Sequence, residues 1–268
     1  DTAMRLAISH ETVYRYENPV KHSTQYLRLT PHSSHSQRII DWELELPVPA
    51  VKSMDAYGNI LHVLTLDYPH QEIRIRAKGL VETSSANDTD HDSLAPMPFL
   101  RHTDLTRPDS ALRIFAEHFR RLPPSLASLH QLAEAIHQRM PYQPGSTDVH
   151  MTAAQAFSNG SGVCQDHTHV FIACARQLGV PARYVSGYLY VPDQQMQHVA
   201  SHAWAEAWMD GDWHSFDISN LTPANEHHLK LAIGMDYLDA CPVRGVRRGG
   251  GGEEMQAAAW VWLDQQQQ

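Results

Sequence analysis

An α+β fold is expected from this chain: an N-terminal antiparallel β-domain, followed by a unit in which helices pack on a second antiparallel sheet. Three observations carry that expectation. Residues 3 to about 82 alternate apolar and polar side chains with period two. Beyond Pro108 the pattern changes to a helical period, and from Ala182 onward it returns to strand-like runs.

The first domain reads as the strands "AMRLAISHETVYRY", "TQYLRLTPH", "QRIIDWELELPV", "NILHVLTLDY" and "EIRIRAKGLVET". Pro47 and Pro49 close one of them, and Tyr57-Gly58-Asn59 supplies a turn. Residues 83–98 are polar, carry proline and lack periodicity, as a linker does. This divides the chain into a β-sandwich-like domain, 1–95, and a second domain, 96–268.

In the second domain Pro108 opens an amphipathic helix, and Ser125 caps another that stops at Pro141. Thr152 starts a short third helix ending at Asn159-Gly160, and Gly162 precedes a fourth, "VCQDHTHVFIACARQL", stopped by Gly179 and Pro181. The runs "ARYVSGYLYV", "VASHAWAEAWM", "WHSFDIS" and "HHLKLAIG" are strand-like. After the flexible "RRGGGGEE", the segment "QAAAWVWLDQQQQ" returns as one last strand with a polar end.

Composition narrows the function classes. The 268 residues carry 30 acidic against 21 basic side chains, a net charge of −9, which repels phosphate backbones and anionic lipids. Neither nucleic acid nor membrane is an expected partner. No apolar run reaches about 18 residues and no export signal is visible, so a cytoplasmic location is expected. The three cysteines, Cys164, Cys174 and Cys241, are too few and too odd in number for a disulfide framework, and they fit a reducing compartment.

One of the three has the setting of a nucleophile. Cys164 follows "NGSGV" at a helix start, where free backbone N–H groups and the positive end of the helix dipole favour a thiolate and suit an oxyanion. Cys174 instead lies on the apolar stripe Val163, Val170, Phe171, Cys174, Leu178, and Cys241 sits in a loop. A base is offered by the hairpin "SHAWAEAWMDGDWHSFD". With Asp210-Gly211 as its two-residue turn, position 209 pairs with 212 and paired numbers sum to 421. His202 and Asp217 then point to one face as diagonal neighbours, about 7 to 8 Å apart at the backbone. The other face carries Ala203, Ala205 and Ala207, small enough for the Cys164 helix to pack closely.

Together, "GVCQDHTHVFIACARQLGVPARYVSGY", "SHAWAEAW" and "DGDWHSFDISN" closely resemble the bacterial transglutaminase-like cysteine protease family. "HETVYRYENPV", "RLTPH" and "DAYGN" look like the β-domain that often precedes such cores, and "GMDYLDACPVRGV" like the C-terminal segment. The resemblance implies a papain-like, transglutaminase-like core with nucleophile Cys164, general base His202 and orienting Asp217. His167 stands where the family usually has an aromatic, and "DISN" replaces the usual "DPTN". Tyr142, His167, Trp204 and Tyr237 are candidates for contacting substrate, and Asp166 for countering the helix dipole.

The expected function is cysteine-nucleophile acyl transfer, hydrolysing an amide or peptide bond through a thioester, with no cofactor and no metal. The alternatives are a protein-glutamine transglutaminase with an amine acceptor, and a non-catalytic peptide-binding or scaffold protein. A zinc site built from Cys164, His167, His169 and His202 is disfavoured because the spacing lacks a second close ligand pair.

Overall fold

The computed structural model describes residues 3–85, 89–90, 92–145, 147–192 and 200–264. Its first sheet is built on one long strand, β1 (Ala3–Leu27). Leu6 and Ile8 turn their alternating apolar side chains inward, where they share a core with Leu64, Leu66, Ile73, Ile75 and Val81. These last residues come from β4 (Ile60–Leu66) and β5 (His70–Ser84), which both pair antiparallel with β1. Strands β2 (Gln37–Glu45) and β3 (Val51–Met54) add outward, giving the order β2-β5-β1-β4-β3.

The second sheet has the order β10-β7-β8-β9-β6, with β6 (Thr89–Asp90), β7 (Ala182–Leu189), β8 (Ser201–Met209), β9 (Asp212–Phe216) and β10 (His228–Gly234). The segment read as a linker is partly structured. Residues 86–88 and 91 lie outside the described residues, but Thr89 and Asp90 pair with His214 and Trp213, and just past the segment Phe99 packs edge-on against Trp213.

Four helices, α1 (Ser110–Glu117), α2 (Leu126–Arg139), α3 (Ala153–Asn159) and α4 (Cys164–Gln177), contribute to a single core against this sheet. Asp109, Ser125 and Thr152 cap the first three through their side chains, and the last two are starts that the sequence predicts. Helix α4 runs through the middle. Its Val170, Phe171 and Cys174 are fully buried in one cluster with Ala203, Ala205 and Ala207 of β8, the small residues that let helix and strand approach.

Arg176 fastens the far end of α4. Its buried guanidinium donates to the carbonyls of Phe99 (2.9 Å), Ala182 (2.9 Å) and Met235 (2.7 Å) and to the Thr106 hydroxyl (2.9 Å). Replacing Arg176 with methionine keeps the stem but strands those carbonyls, at a cost of about 3 kcal/mol. The expected readout is a lower urea midpoint at unchanged slope.

The chain's last strands depart from the expected division at residue 96. After α5 (Tyr237–Ala240), β11 (Val243–Gly249) and β12 (Glu253–Leu263) leave the second sheet and pair with β1. The last strand that the sequence predicts forms within the first sheet, as β12. The physical reason is β1 itself, whose edge opposite β5 and β4 exposes a row of unpaired backbone groups that β12 and β11 satisfy. The first unit is one curled antiparallel sheet made from both sides of the core in sequence, and the core lies between.

Candidate active site

The site begins with the turn that delivers Cys164. Helix α3 ends at Gly160 in a left-handed conformation (φ 70°), and Gly162 bridges to Tyr142. A side chain at 162 would collide with Asp166, whose Cβ and Oδ2 lie 2.6 and 2.8 Å from the ideal Cβ position. Asp166 needs that room because its carboxylate accepts hydrogen bonds from the Val163 N–H (2.9 Å) and the Thr147 hydroxyl (2.8 Å). Burial is the main influence on this carboxyl and raises its pKa. Cys164 is thereby fixed as the first residue of α4, half-buried, with first-turn N–H groups directed away from the helix.

The β8–β9 hairpin folds on the expected register. Asp210 (φ 53°) and Gly211 (φ 85°) form the turn, and the pairs run from Met209 with Asp212 to Ala205 with Phe216. The ladder stops there. Asp217 instead bridges Thr222, its N–H donating at 2.9 Å, and this turns the chain back toward β8. His202 Nε2–H donates to Asp217 Oδ2 at 2.8 Å.

Two further donors converge on Asp217. His228 Nε2–H donates to Oδ2 at 2.9 Å, and the Asn220 side chain donates to the same oxygen at 2.9 Å. The Asn225 backbone N–H donates to His228 Nδ1 (3.1 Å), which identifies Nε2 as the protonated nitrogen of that ring. Burial alone would raise the Asp217 carboxyl, yet the hydrogen bonds and charge of the two histidines hold it well below the usual carboxylate range. Burial lowers the His228 pKa below its ordinary value, against the raising pull of its hydrogen bond to Asp217. His202 behaves oppositely. Burial disfavours its imidazolium, but hydrogen bonds to Asp217 and to the Cys164 thiol, with their charges, outweigh burial and raise the pKa to about 10. With Nε2 committed to Asp217, Nδ1 is the nitrogen left for the sulfur.

Cys164 and His202 open on a cleft of about 270 Å³. One wall belongs to the core and includes Tyr184, Ser186 and Tyr237. The opposite wall is the first sheet: Thr12 and Tyr14 of β1, with their cross-strand partners Ala257 and Met255 of β12. His10 completes that wall and ties the sheets together through a 2.7 Å hydrogen bond to Tyr188, burial holding its pKa down at about 4.

Of the four candidates for substrate contact, Tyr237 lines the cleft. Tyr142 is half-exposed beside the Cys164 turn, and burial, then the charge of Cys164, raises its hydroxyl pKa. Trp204 is fully buried and packs behind His202 and His228, ring centroids 6.1 and 5.0 Å away. His167 is turned inward because both ring nitrogens are engaged, Nε2 with the Met140 carbonyl (2.7 Å) and Nδ1 with the Ser219 hydroxyl (2.8 Å). Those bonds leave His167 no ring nitrogen for a metal, while fully buried His169 accepts from the Tyr237 N–H at Nε2 (3.1 Å). His202, Asp217 and His228 do lie within 4.8 Å of one another, with both rings hydrogen-bonded to the single oxygen Oδ2.

A thiol and an imidazole at the junction of a central helix and an antiparallel sheet place the molecule among cysteine-based enzymes. Residues 6–82 match the bacterial transglutaminase-like N-terminal region, and residues 115–218 match the transglutaminase-like superfamily. The uncharacterized protein ML0607 of Mycobacterium leprae is 29% identical over 269 residues, covering 94% of this chain and 96% of its own. The uncharacterized protein Rv2569c of Mycobacterium tuberculosis is 30% identical over 273 residues, covering 90% and 87%. Among solved structures, a "Putative Cysteine Protease" from Cytophaga hutchinsonii superposes with a TM-score of 0.79 at 22% identity, over 98% of this chain and 91% of that one. The chain belongs to the bacterial transglutaminase-like family, with that family's N-terminal region joined to a transglutaminase-like core.

Proposed function

We propose that the chain hydrolyses an amide or peptide bond by acyl transfer, with Cys164 as nucleophile, His202 as proton carrier and Asp217 as the group that orients and charges it. The carrying observation is His202, hydrogen-bonded to Asp217 and lining one open cleft with Cys164. The thiolate attacks the carbonyl carbon, and the oxyanion forms against the first-turn N–H groups of α4. The His202 imidazolium protonates the leaving amine as the C–N bond breaks and leaves a thioester. Neutral His202 then takes a proton from water, the hydroxide attacks the thioester, and the acid departs as the thiol and imidazole recover their starting state.

The test is alkylation. Burial pushes the Cys241 thiol up to about 11 and the Cys174 thiol higher still, so neither competes near pH 6. Iodoacetamide at that pH is expected to label Cys164 at least about tenfold faster than the other two, and the Cys164 rate and its preference are expected to fall in His202→Ala. Equal labelling of all three cysteines would overturn the reading.

The histidine also sets a pH signature. Its folded pKa is raised, so the imidazolium persists through neutrality and is lost only as pH rises through about 10. Turnover of a peptide amide, which needs that proton for the leaving amine, is expected to fall across this range. Alkylation, which needs no proton donor, is expected to continue. A turnover profile that declines near pH 6.5 instead, the ordinary histidine value, would show that His202 is not the acid.

A further inference from the structure

The free edge of β12 points to the form in which substrate arrives. The ladder between β1 and β12 runs without a register shift from Tyr16 opposite Glu253 to Leu6 opposite Leu263. In such a ladder the N–H and C=O of alternate residues face the partner strand, and those of the residues between face away. Ala259 marks the outward set, because its carbonyl accepts from Ala200 N–H (3.1 Å) on the side away from β1. Toward the start of β12 the next outward residues are Ala257 and Met255. Among the described residues neither has a hydrogen-bond partner on that side, and Met255 is 54% exposed.

That free stretch adjoins the nucleophile. Ala200 lies two residues before His202, and a strand advances about 3.3 Å per residue, so both His202 and the outward groups of Ala257 begin about 7 Å from the Ala200–Ala259 contact. Ala257 and Met255 border the cleft that holds Cys164. Their two outward donor–acceptor pairs, one strand repeat apart, match alternate residues of an extended polypeptide and nothing in an isolated small amide.

We infer that the substrate is an extended peptide that adds as a strand along β12, pairing its main chain with Ala257 and Met255 and so bringing a carbonyl to Cys164. This rests on the acyl-transfer reading above. Thr12 and Tyr14 line the same wall, where alternate substrate side chains would lie against them.

The probe is a capped tripeptide acyloxymethyl ketone, in which the thiolate displaces the carboxylate and a C–S bond forms at the methylene carbon. It is expected to inactivate the wild type at least about a hundredfold faster than an acyloxymethyl ketone lacking the peptide. Methylating its amide nitrogens one at a time is expected to cost about tenfold at alternate positions only, since only those face β12. Ala257→Pro removes an outward N–H and none used by β1. It is expected to slow the peptide probe about tenfold and to leave iodoacetamide labelling unchanged. Equal rates with and without the peptide, N-methyl losses without alternation, or a wild-type peptide rate in Ala257→Pro would each overturn the inference. Loss of selective iodoacetamide labelling would instead overturn the acyl-transfer reading, so the two failures are distinguishable.

Discussion

Cys164→Ala is expected to abolish peptide-amide turnover, a loss on the order of 10⁶-fold, while leaving the fold intact. The two halves of that result come from different features. Cys164 is half-buried at a helix start, so trimming one sulfur there costs about 1 kcal/mol or less. In the proposed reaction the sulfur is the atom that carries the acyl group, and neither His202 nor the first-turn N–H groups can form a thioester without it. The measurement is paired: turnover of a fluorogenic peptide amide, and the thermal midpoint. A variant that retained more than about 1% of turnover would move the nucleophile elsewhere.

Asp217→Asn should be nearly as damaging, with turnover reduced about 10⁴-fold. Its carboxylate receives three donors at Oδ2, from His202, His228 and Asn220, and the Asn220 backbone N–H at Oδ1 (3.3 Å). An amide offers one acceptor oxygen and one NH₂, so in either orientation the NH₂ confronts an N–H donor. The charge that helps hold His202 protonated is lost as well. The pH signature separates this from simple destabilisation. The falling limb of the residual activity should move from about pH 10 toward the ordinary histidine range, and Cys164 labelling at pH 6 should slow. An unchanged limb with lower turnover would reduce Asp217 to a packing residue.

What could be read in advance divides by the range of the interaction. The Asp210-Gly211 turn and the parity of the strands around it are local, so the pairing sum of 421 and the common side of His202 and Asp217 follow from a few residues. The last step was not so accessible. Asp217 reaches His202 after the ladder has ended, through its bridge to Thr222. His228 is hard to read from the sequence for a related reason. It stands in a strand-like run, but its approach to Asp217 depends on β10 pairing with β7 and on the loop at Asn225, and neither is encoded within a few residues. The nearby pair His227-His228 was the available signal, diluted among 19 histidines. His167 shows the converse error. Its i+3 spacing from Cys164 correctly puts it near the helix start, yet spacing cannot reveal that Met140 and Ser219 turn the ring inward. The cleft wall from Thr12, Tyr14, Ala257 and Met255 was the least legible part, because it joins strands separated by more than 240 positions in the sequence.

That wall ties activity to the order of synthesis. Because β12 follows the core along the chain, a ribosome completes Cys164, His202 and Asp217 before it makes Met255 and Ala257. Until then the thiol and imidazole can assemble within the second sheet and its helices, but the cleft has only one complete side and β1 has an unsatisfied edge. Under the strand-addition inference, a nascent or C-terminally clipped chain would carry reactive chemistry with no surface to present a peptide to it. The closing strand would thus delay proteolytic competence until translation has passed the core.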